Sequence, residues 1–524
     1  MERRKFLKDV ILTTTGILLV PAFLKGNTVQ TFKTMNTTID AKSSGKKFVH
    51  FWSKCVGAGR ANEGLRATWL EQLKLSKESC GFQYCRFHGL LHDDMFVYKE
   101  VNDKVIYNWQ YLDDLFDRML EIGVKPFVEL AFMPKDLATD QTSLQFWWKG
   151  HITPPKDPQK WFDLVTELVK HCISRYGTEE VRSWYFEVWN EPNIKPFWNA
   201  TQEQYFELYK ISAKAIKAVD AKLKVGGPAT SAFHLDNASG IWKGSWVEEF
   251  LAYCKKENLP LDFLSTHPYP AAKRIGNATQ QDMLWLKNTM ATSAYPNAEI
   301  HLSEWSSSSN KRDRNHDYLP AAAFVIKMNL ESIGLADSLS YWVFSDLFEE
   351  SGAGDTIFHG GFGLINYQGI VKPAFHGYRM LNQLGDEILH QEDGMIVTRN
   401  SSTKKLTTLV YYYPPEITGT LPGTSKANAE KTLNTGIPKK FTLQLNNLHP
   451  ASAITLETLD GNNGNAIVAW EKMGSPEPPT REQTKELKHL AMATKNEKAK
   501  ADSRGNFKWE KTLDPWTCIL IKQD

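Results

Sequence analysis

Two glutamates in this chain each close a strand-like run of aromatic and β-branched residues. Residues 184–189 form an apolar run that leads into Asn190 and Glu191, and residues 299–304 form a second run that ends at Glu304. Because Pro192 has no N–H to give to a ladder, the first strand is predicted to stop at Glu191. Two carboxyl groups across a cleft can cleave a glycosidic bond: one protonates the leaving oxygen, and the other attacks the anomeric carbon or activates water. The alternative for Glu191 is structural, as the N-cap of the next helix.

Strand-like and helix-like patterns alternate from residue 46 to residue 385. The predicted strands cover 48–52, 82–88, 124–130, 184–191, 223–227, 261–267, 299–305 and 338–344, and the predicted helices cover 63–77, 109–122, 158–175, 201–219, 245–257, 280–291, 319–333 and 373–384. Eight such units predict an α/β fold, a closed (β/α)8 TIM barrel, which places Glu191 and Glu304 on one rim at the ends of strands four and seven. An open doubly wound sheet is the alternative, but no glycine-rich phosphate loop follows any strand.

The pattern changes after residue 386. With 524 residues the chain is too long for one ordinary core. Short strand-like runs separated by turns predict a smaller, all-β sandwich-like domain over 386–524. Within it, residues 472–503 are polar and rich in Lys and Glu, which predicts a long surface excursion with some helix.

The first 26 residues are typical of an export signal. Arg3 and Arg4 precede an apolar stretch over 10–24 that is too short for a comfortable membrane span. We interpret 1–26 as a twin-arginine signal, with a retained anchor as the alternative. The protein is then expected in the periplasm or outside the cell. Residues 27–45 are predicted to be a linker or a strand added to another domain.

Composition narrows the classes of partner. The formal net charge is +2 and the main body has no long basic run, which argues against a nucleic-acid-binding protein. The six cysteines have no metal-type spacing and no nucleotide loop is present, so we expect no metal and no cofactor. No membrane association is expected beyond the export signal. The sequence does not specify the oligomeric state or any disulfide pairing.

The residues around the two glutamates resemble a known family. Trp-Asn-Glu-Pro on strand four with a glutamate on strand seven resembles the retaining glycoside hydrolases. The closer resemblance is to glycoside hydrolase family 39, the β-xylosidases and α-L-iduronidases, and it runs from about residue 46 to the C-terminus. The other segments that carry it are 51–52, 56–61, 86–89, 92–94, 132–134, 267–270, 345–350, 358–363 and 470–480.

The resemblance implies that Glu191 is the general acid/base and Glu304 the nucleophile. Glu191 must then hold a proton that Glu304 has lost, and repulsion from an ionised Glu304 would help it do so. The substrate-binding residues that it implies lie at or after strand ends: His88, Asn190, His267, Tyr269, Trp342, Glu349 and Glu350.

The resemblance also implies which contacts these residues make. Asn190 is expected to donate to the sugar 2-hydroxyl, and Tyr269 to the carboxylate of Glu304. His88 and His267 are expected to contact hydroxyls as neutral imidazoles.

Trp342 is expected either to stack on the sugar ring or to pack in the core. At least one of Glu349 and Glu350 is expected to be a solvated charge.

Together these features favour an exported retaining β-xylosidase that releases xylose from xylo-oligosaccharides. The strand-eight loop carries Asp346, Glu349 and Glu350 and no Lys or Arg before Lys372, so a uronate should be repelled there. A uronate would need a cation from elsewhere in the chain, and Arg60 and Arg86 lie near strand ends. Alternatives are an α-L-iduronidase-like enzyme, another pentosidase, or a non-catalytic carbohydrate-binding barrel, which two retained glutamates disfavour.

Overall fold

The computed structural model describes residues 35–524 apart from 232–233, 237–240, 271–277, 419–420, 422 and 424. The export signal predicted over 1–26 lies outside the described residues. Among the helices of the described part, none has the length and apolarity needed to cross a bilayer.

Eight parallel strands in the described part of the chain form a closed barrel. Each strand pairs with the next one along the chain, and Tyr341 of the eighth pairs with Val56 of the first, which closes the circle. The predicted α/β barrel is therefore confirmed. Its strands are Cys55–Arg60, Tyr84–His88, Lys125–Glu129, Tyr185–Glu187, Lys224–Ser231, Phe263–His267, Glu299–Trp305 and Ser338–Tyr341.

Helices that follow the strands form the outer ring of the barrel. Their ends follow local sequence signals: Asp157 accepts hydrogen bonds from two N–H groups of the third helix, Pro158 occupies its first turn, and Gly177 follows its last residue. The helices are Ala67–Cys80, Gln110–Ile122, Pro158–Tyr176, Gln202–Val219, Val247–Lys256, Ala278–Thr292, Pro320–Glu331 and Pro373–Leu381, with a short one at Thr178–Arg182.

The first barrel strand is not the one predicted. The strand is Cys55–Arg60, whereas Phe51–Ser53 is a buried single turn of 3-10 helix. Glycine inside a strand usually weakens it, but Gly57 and Gly59 both belong to this strand. A side chain at Gly57 would overlap the Trp342 ring, so glycine is required there for close packing.

The fourth strand is shorter than predicted. Its ladder covers Tyr185–Glu187, because the backbone has a φ of 71° at Trp189 and 44° at Glu191. Such left-handed conformations are uncommon outside glycine and cluster at functional sites. The Glu191 N–H still donates to the Ala229 carbonyl of the fifth strand at 2.9 Å, which anchors the end of this segment.

Two sheets that enclose a second core follow the barrel. The larger has the order Lys46–Lys47, Glu387–Glu392, Met395–Arg399, Leu406–Tyr411, Cys518–Gln523, Ala453–Leu459 and Lys495–Lys500. The smaller has the order Met35–Asp40, Lys439–Asn446 and Phe507–Leu513, and its first strand comes from the segment before the barrel. The helices of the region after the barrel are Lys426–Leu433, Ala466–Lys472 and Arg481–Met492.

The surface excursion predicted over 472–503 is in part a strand. Residues 495–500 form the edge of the larger sheet, paired with Ala453–Leu459. The sequence Lys-Asn-Glu-Lys-Ala-Lys hid this strand, because charged residues are typical of an edge strand that must not pair further.

Candidate active site

The inside of the barrel is built in layers. At the amino ends of the strands, a cluster of buried rings with one cysteine closes the bottom: Cys55, Tyr84, Phe127, Tyr185 and Phe263. Side chains alternate along a strand, so the inward position two residues after Tyr185 is Glu187, and the one two residues after Phe127 is Glu129. Charged groups therefore lie directly above an apolar floor.

Arg86 is the centre of the charged layer and is fully buried. Its guanidinium forms ion pairs with Glu129 at 2.9 Å, with Glu187, and with Glu304 at 2.7 Å, and it donates to the Asn190 side-chain oxygen at 2.9 Å. A buried cation requires such partners, since an unpaired one would be strongly destabilising. Arg86 thereby holds both the end of strand seven and the end of strand four.

Glu191 and Glu304 meet above this layer, as predicted from their strand ends. The ladder on strand seven is irregular between Leu302 and Trp305, and this irregularity lets both Ser303 and Glu304 face inward. One oxygen of Glu191, one oxygen of Glu304 and one ring nitrogen of His267 all lie within 4.8 Å of one another. Three such atoms are also close enough to ligate one cation.

The two carboxyl groups have different surroundings. Burial, and then repulsion from Glu304, raises the pKa of Glu191 to about 8. Burial raises the pKa of Glu304 to about 7, and the Arg86 and His88 cations act against it. Tyr269 donates to Glu304 at 2.9 Å, as predicted, and further favours the carboxylate. Of the two, Glu191 is therefore the group that keeps its proton to higher pH.

His88 is a cation, and the prediction of a neutral imidazole is wrong for it. Burial alone lowers the pKa of His88, but the Glu129 carboxylate, 2.8 Å from its Nδ1, raises it to about 10. Its Nε2 lies 3.4 Å from Glu350 and 3.7 Å from Glu304. His88 thus presents a positive charge to the two carboxylates above it.

His267 is neutral, in agreement with the prediction. Burial, followed by the charges of Arg86 and His88, lowers its pKa well below the ordinary value. Its Nδ1 lies 3.0 Å from Glu191 and its Nε2 lies 3.0 Å from the Ser303 hydroxyl. This imidazole links the end of strand four to the end of strand seven.

Asn190 and Trp342 flank the glutamates. Arg86 fixes the Asn190 oxygen, and the Asn190 nitrogen has no hydrogen-bond partner among the described residues. Trp342 is buried, with its ring 4.9 Å from His88 and 5.8 Å from the Arg86 guanidinium. Its ring therefore packs beside these two cations, and its stacking on a sugar ring stays a prediction.

The acidic loop after strand eight is not a solvated cluster. Glu349 pairs with Arg60 at 3.1 Å and with Arg66 at 2.5 Å, so it is held in an ion-pair network at the rim. Glu350 is 9% exposed and lies between His88 and Lys311, each 3.4 Å away. The expectation of at least one solvated glutamate is therefore wrong, because the fold supplies a cation to each.

Asp346, the third acidic residue of that loop, is also removed from the pocket. It is almost fully buried and pairs with Lys372 at 2.6 Å. Only Glu350 of the loop therefore lies beside His88 and Glu304.

Sequence reasoning missed the layer that supports the glutamates, which consists of Arg86, Glu129, Glu187 and Ser303. A signal was present: these polar residues lie at inward positions of strands that otherwise read as buried. Lys311 was also missed. It lies on a loop after strand seven, with its Nζ 5.3 Å from the Phe146 ring, and no local pattern indicates that it turns back to Glu350.

Comparisons with known proteins agree with this geometry. The family model "Glycosyl hydrolases family 39" matches residues 35–508. A beta-xylosidase of Geobacillus stearothermophilus is 38% identical over 473 residues, which is 86% of this chain and 88% of that protein.

Solved structures give the same result. A GH39 enzyme from Xanthomonas axonopodis pv. citri superposes with a TM-score of 0.83 at 30% identity, over 94% of this chain and 97% of that one. A monomeric beta-xylosidase from Caulobacter crescentus CB15 has a TM-score of 0.82 at 31% identity, over 93% and 99%. A family model that spans most of the chain, together with the barrel and its paired glutamates, establishes that this chain is a glycosidase of glycosyl hydrolase family 39.

Proposed function

We propose that this glycosidase is a retaining β-xylosidase that releases xylose from xylo-oligosaccharides, with Glu304 as nucleophile and Glu191 as general acid/base. The observation that carries the proposal is the approach of one oxygen of each carboxyl group to within 4.8 Å. Retaining enzymes hold the two carboxyl groups about 5–5.5 Å apart, whereas inverting enzymes leave about 6.5–9.5 Å for a water molecule.

The two environments support these roles. Glu304 is held by Arg86 and Tyr269, one on each carboxylate oxygen, and both contacts stabilise its charge. Glu191 has no cation paired with it among the described residues, and the charge of Glu304 opposes its ionisation. A nucleophile that is ionised beside an acid that is protonated is the arrangement that the first step of retention requires.

The charge of the pocket suits the transition state. Glycoside cleavage passes through an oxocarbenium-like state, in which positive charge develops on the sugar ring. The layer under the glutamates contains the carboxylates of Glu129 and Glu187, and Glu350 lies beside it. The buried cations of this layer are Arg86 and His88. With Glu304 included, carboxylates outnumber buried cations, so the site stabilises a developing cation before the substrate arrives.

Asn190 and Glu350 are the proposed sugar contacts. The Asn190 oxygen is held by Arg86, which leaves its NH2 group to donate to the sugar 2-hydroxyl. Glu350 has acceptor capacity for a further hydroxyl, since His88 and Lys311 lie 3.4 Å from it, beyond ordinary hydrogen-bond contact. Together they read two hydroxyls of one pyranose ring.

Xylose is favoured over a uronic acid because the cations nearby are already engaged. Arg86 is saturated by carboxylates and Asn190, and Arg60 pairs with Asp94 and Glu349. Among the described residues, a sugar carboxylate would meet Glu350 and Glu304 and would find no buried arginine without a partner. Xylose has no exocyclic group at C5 and avoids that cost. The named beta-xylosidase relatives support the same choice.

Export by the twin-arginine route is part of the proposal. It rests on Arg3 and Arg4 ahead of the apolar stretch in residues 1–26. The working compartment is then the periplasm or the exterior, where oligosaccharides are available.

A panel of aryl glycosides tests the activity. Purified protein is assayed with 4-nitrophenyl β-D-xyloside, α-L-arabinoside, β-D-glucoside and α-L-iduronide, and the first-formed anomer is recorded by proton NMR. We expect the highest kcat/KM on the β-D-xyloside and β-xylose as the first product. Comparable kcat/KM on the α-L-iduronide would overturn the substrate, and α-xylose as first product would overturn retention.

A further inference from the structure

A continuous chain of hydrogen bonds leads away from Glu191 into the barrel. Glu191 lies 3.0 Å from the His267 Nδ1, the His267 Nε2 lies 3.0 Å from the Ser303 hydroxyl, and Ser303 donates to Glu187 at 2.6 Å. All four side chains are more than nine-tenths buried. None of these four side chains is exposed to water, so the position of each proton is determined by the neighbouring group in the chain.

Glu187, the last group of this series, determines the direction of its hydrogen bonds. Glu187 is paired with Arg86, and an ionised carboxylate can only accept hydrogen bonds. The Ser303 hydroxyl proton therefore points at Glu187, and the hydroxyl turns a lone pair toward His267. The hydrogen bond between the two residues therefore requires a proton on the Nε2 of His267.

A neutral imidazole with its proton on Nε2 carries a lone pair on Nδ1. His267 is neutral because it is buried beside the cations Arg86 and His88. The Nδ1 lone pair faces Glu191 at 3.0 Å. Only a protonated Glu191 can make a hydrogen bond there, since an ionised carboxylate would place two lone pairs against each other.

We propose that Ser303 and Glu187 are positioning residues that lock His267 in the Nε2–H tautomer, and that this tautomer keeps the catalytic proton on Glu191. The proposal rests on the acid/base assignment of Glu191 made above. In the first step the proton passes from Glu191 to the glycosidic oxygen, and the C1–O bond breaks as the C1–Glu304 bond forms. Glu191 then faces the Nδ1 lone pair as an anion, which favours its recovery of a proton from the attacking water in the second step.

Removal of the Ser303 hydroxyl tests this device. In Ser303→Ala the His267 proton is free to move to Nδ1, where it stabilises ionised Glu191. We expect the alkaline limb of kcat/KM to move down by about one pH unit, a tenfold change in proton affinity. Among the described residues, the other groups that face Glu191 and His267 are the Ser231 hydroxyl, Glu304, Arg86, His88, Glu350 and Tyr269, and the substitution leaves them in place.

Two comparisons distinguish this effect from a general loss of activity. One uses substrates with different leaving groups, and the other uses a conservative variant. Above the shifted limb, Ser303→Ala should lose about tenfold on xylobiose and much less on 2,4-dinitrophenyl β-D-xyloside, which needs little protonation. Ser303→Thr keeps a hydroxyl and should keep the parental limb. An unmoved limb in an active Ser303→Ala would overturn the proposal. An inactive parent would overturn the proposed function instead.

Neutron crystallography of the parent protein reads the tautomer without any substitution. On a deuterated crystal at a pD below the pKa of Glu191, we expect nuclear density for deuterium on the His267 Nε2, none on Nδ1, and a deuteron on Glu191. A deuteron on Nδ1 would contradict the proposal whatever the substrate of the enzyme.

Discussion

The contact between Tyr269 and Glu304 is a single hydrogen bond whose removal has a calculable effect. The Tyr269 hydroxyl donates to one Glu304 oxygen at 2.9 Å, while Arg86 donates to the other. Tyr269→Phe removes the hydroxyl and keeps the ring. A hydrogen bond to a charged group contributes about 1.5–3 kcal/mol, and 1.36 kcal/mol corresponds to one pKa unit.

The direction of the pKa shift depends on which form of Glu304 the hydroxyl stabilises. The hydroxyl favours the ionised form of Glu304, so its loss raises the pKa of Glu304 and moves the acidic limb of kcat/KM up by about 1–2 pH units. From about 7 in the parent, that pKa then equals or exceeds the value of about 8 at Glu191. The active state, with Glu304 ionised and Glu191 protonated, becomes a minority, and the maximal rate falls about two- to tenfold.

The assay is kcat/KM against pH with 4-nitrophenyl β-D-xyloside for the parent, Tyr269→Phe and a control. Tyr209→Phe is the matched control, because the Tyr209 hydroxyl also makes a single hydrogen bond, to the Pro260 carbonyl at 2.8 Å, away from the two glutamates. The control should lose stability without any movement of the limb. An acidic limb in Tyr269→Phe that stays at the parental pH, or moves down, would refute the reasoning.

Three further predictions follow from the proposed roles. Glu304→Ala should lose nearly all turnover, and azide should restore part of it with an inverted glycosyl azide as product; parental activity would contradict the nucleophile. Glu191→Gln should lose about 10²–10⁴-fold on xylobiose, far less on activated phenyl xylosides, and should remove the alkaline limb; equal losses on both substrates would make Glu191 structural. Replacing Arg3 and Arg4 by Lys should block export, and normal export would favour a general secretory signal or an anchor.

The barrel and the two glutamates could be predicted because their signals are local. A buried strand that ends in a carboxylate is visible in the sequence, and a barrel brings the ends of strands four and seven to one rim. The first strand could not be predicted, for the opposite reason. Gly57 reads as a breaker along the chain, and only the fold reveals Trp342 packed against it.

The charge of His88 and the partners of Glu349 and Glu350 could not be predicted, because they depend on residues distant in the chain. His88 is cationic only because strand three places Glu129 beside it. Glu349 and Glu350 are adjacent in sequence, but one meets a pair of arginines at the rim and the other turns into the pocket beside His88. Burial and pairing of this kind emerge from the closed barrel rather than from any local pattern.

Covalent trapping tests the central claim most directly. The protein is incubated with 2,4-dinitrophenyl 2-deoxy-2-fluoro-β-D-xyloside. The fluorine destabilises the oxocarbenium-like transition states of both steps, and the good leaving group restores the rate of the first step only, so the glycosyl-enzyme intermediate accumulates. Intact mass spectrometry and peptide mapping then locate the adduct. The account predicts one fluoroxylosyl group per chain, attached to Glu304; an adduct on another carboxylate, or steady turnover to α-configured product without any adduct, would contradict it.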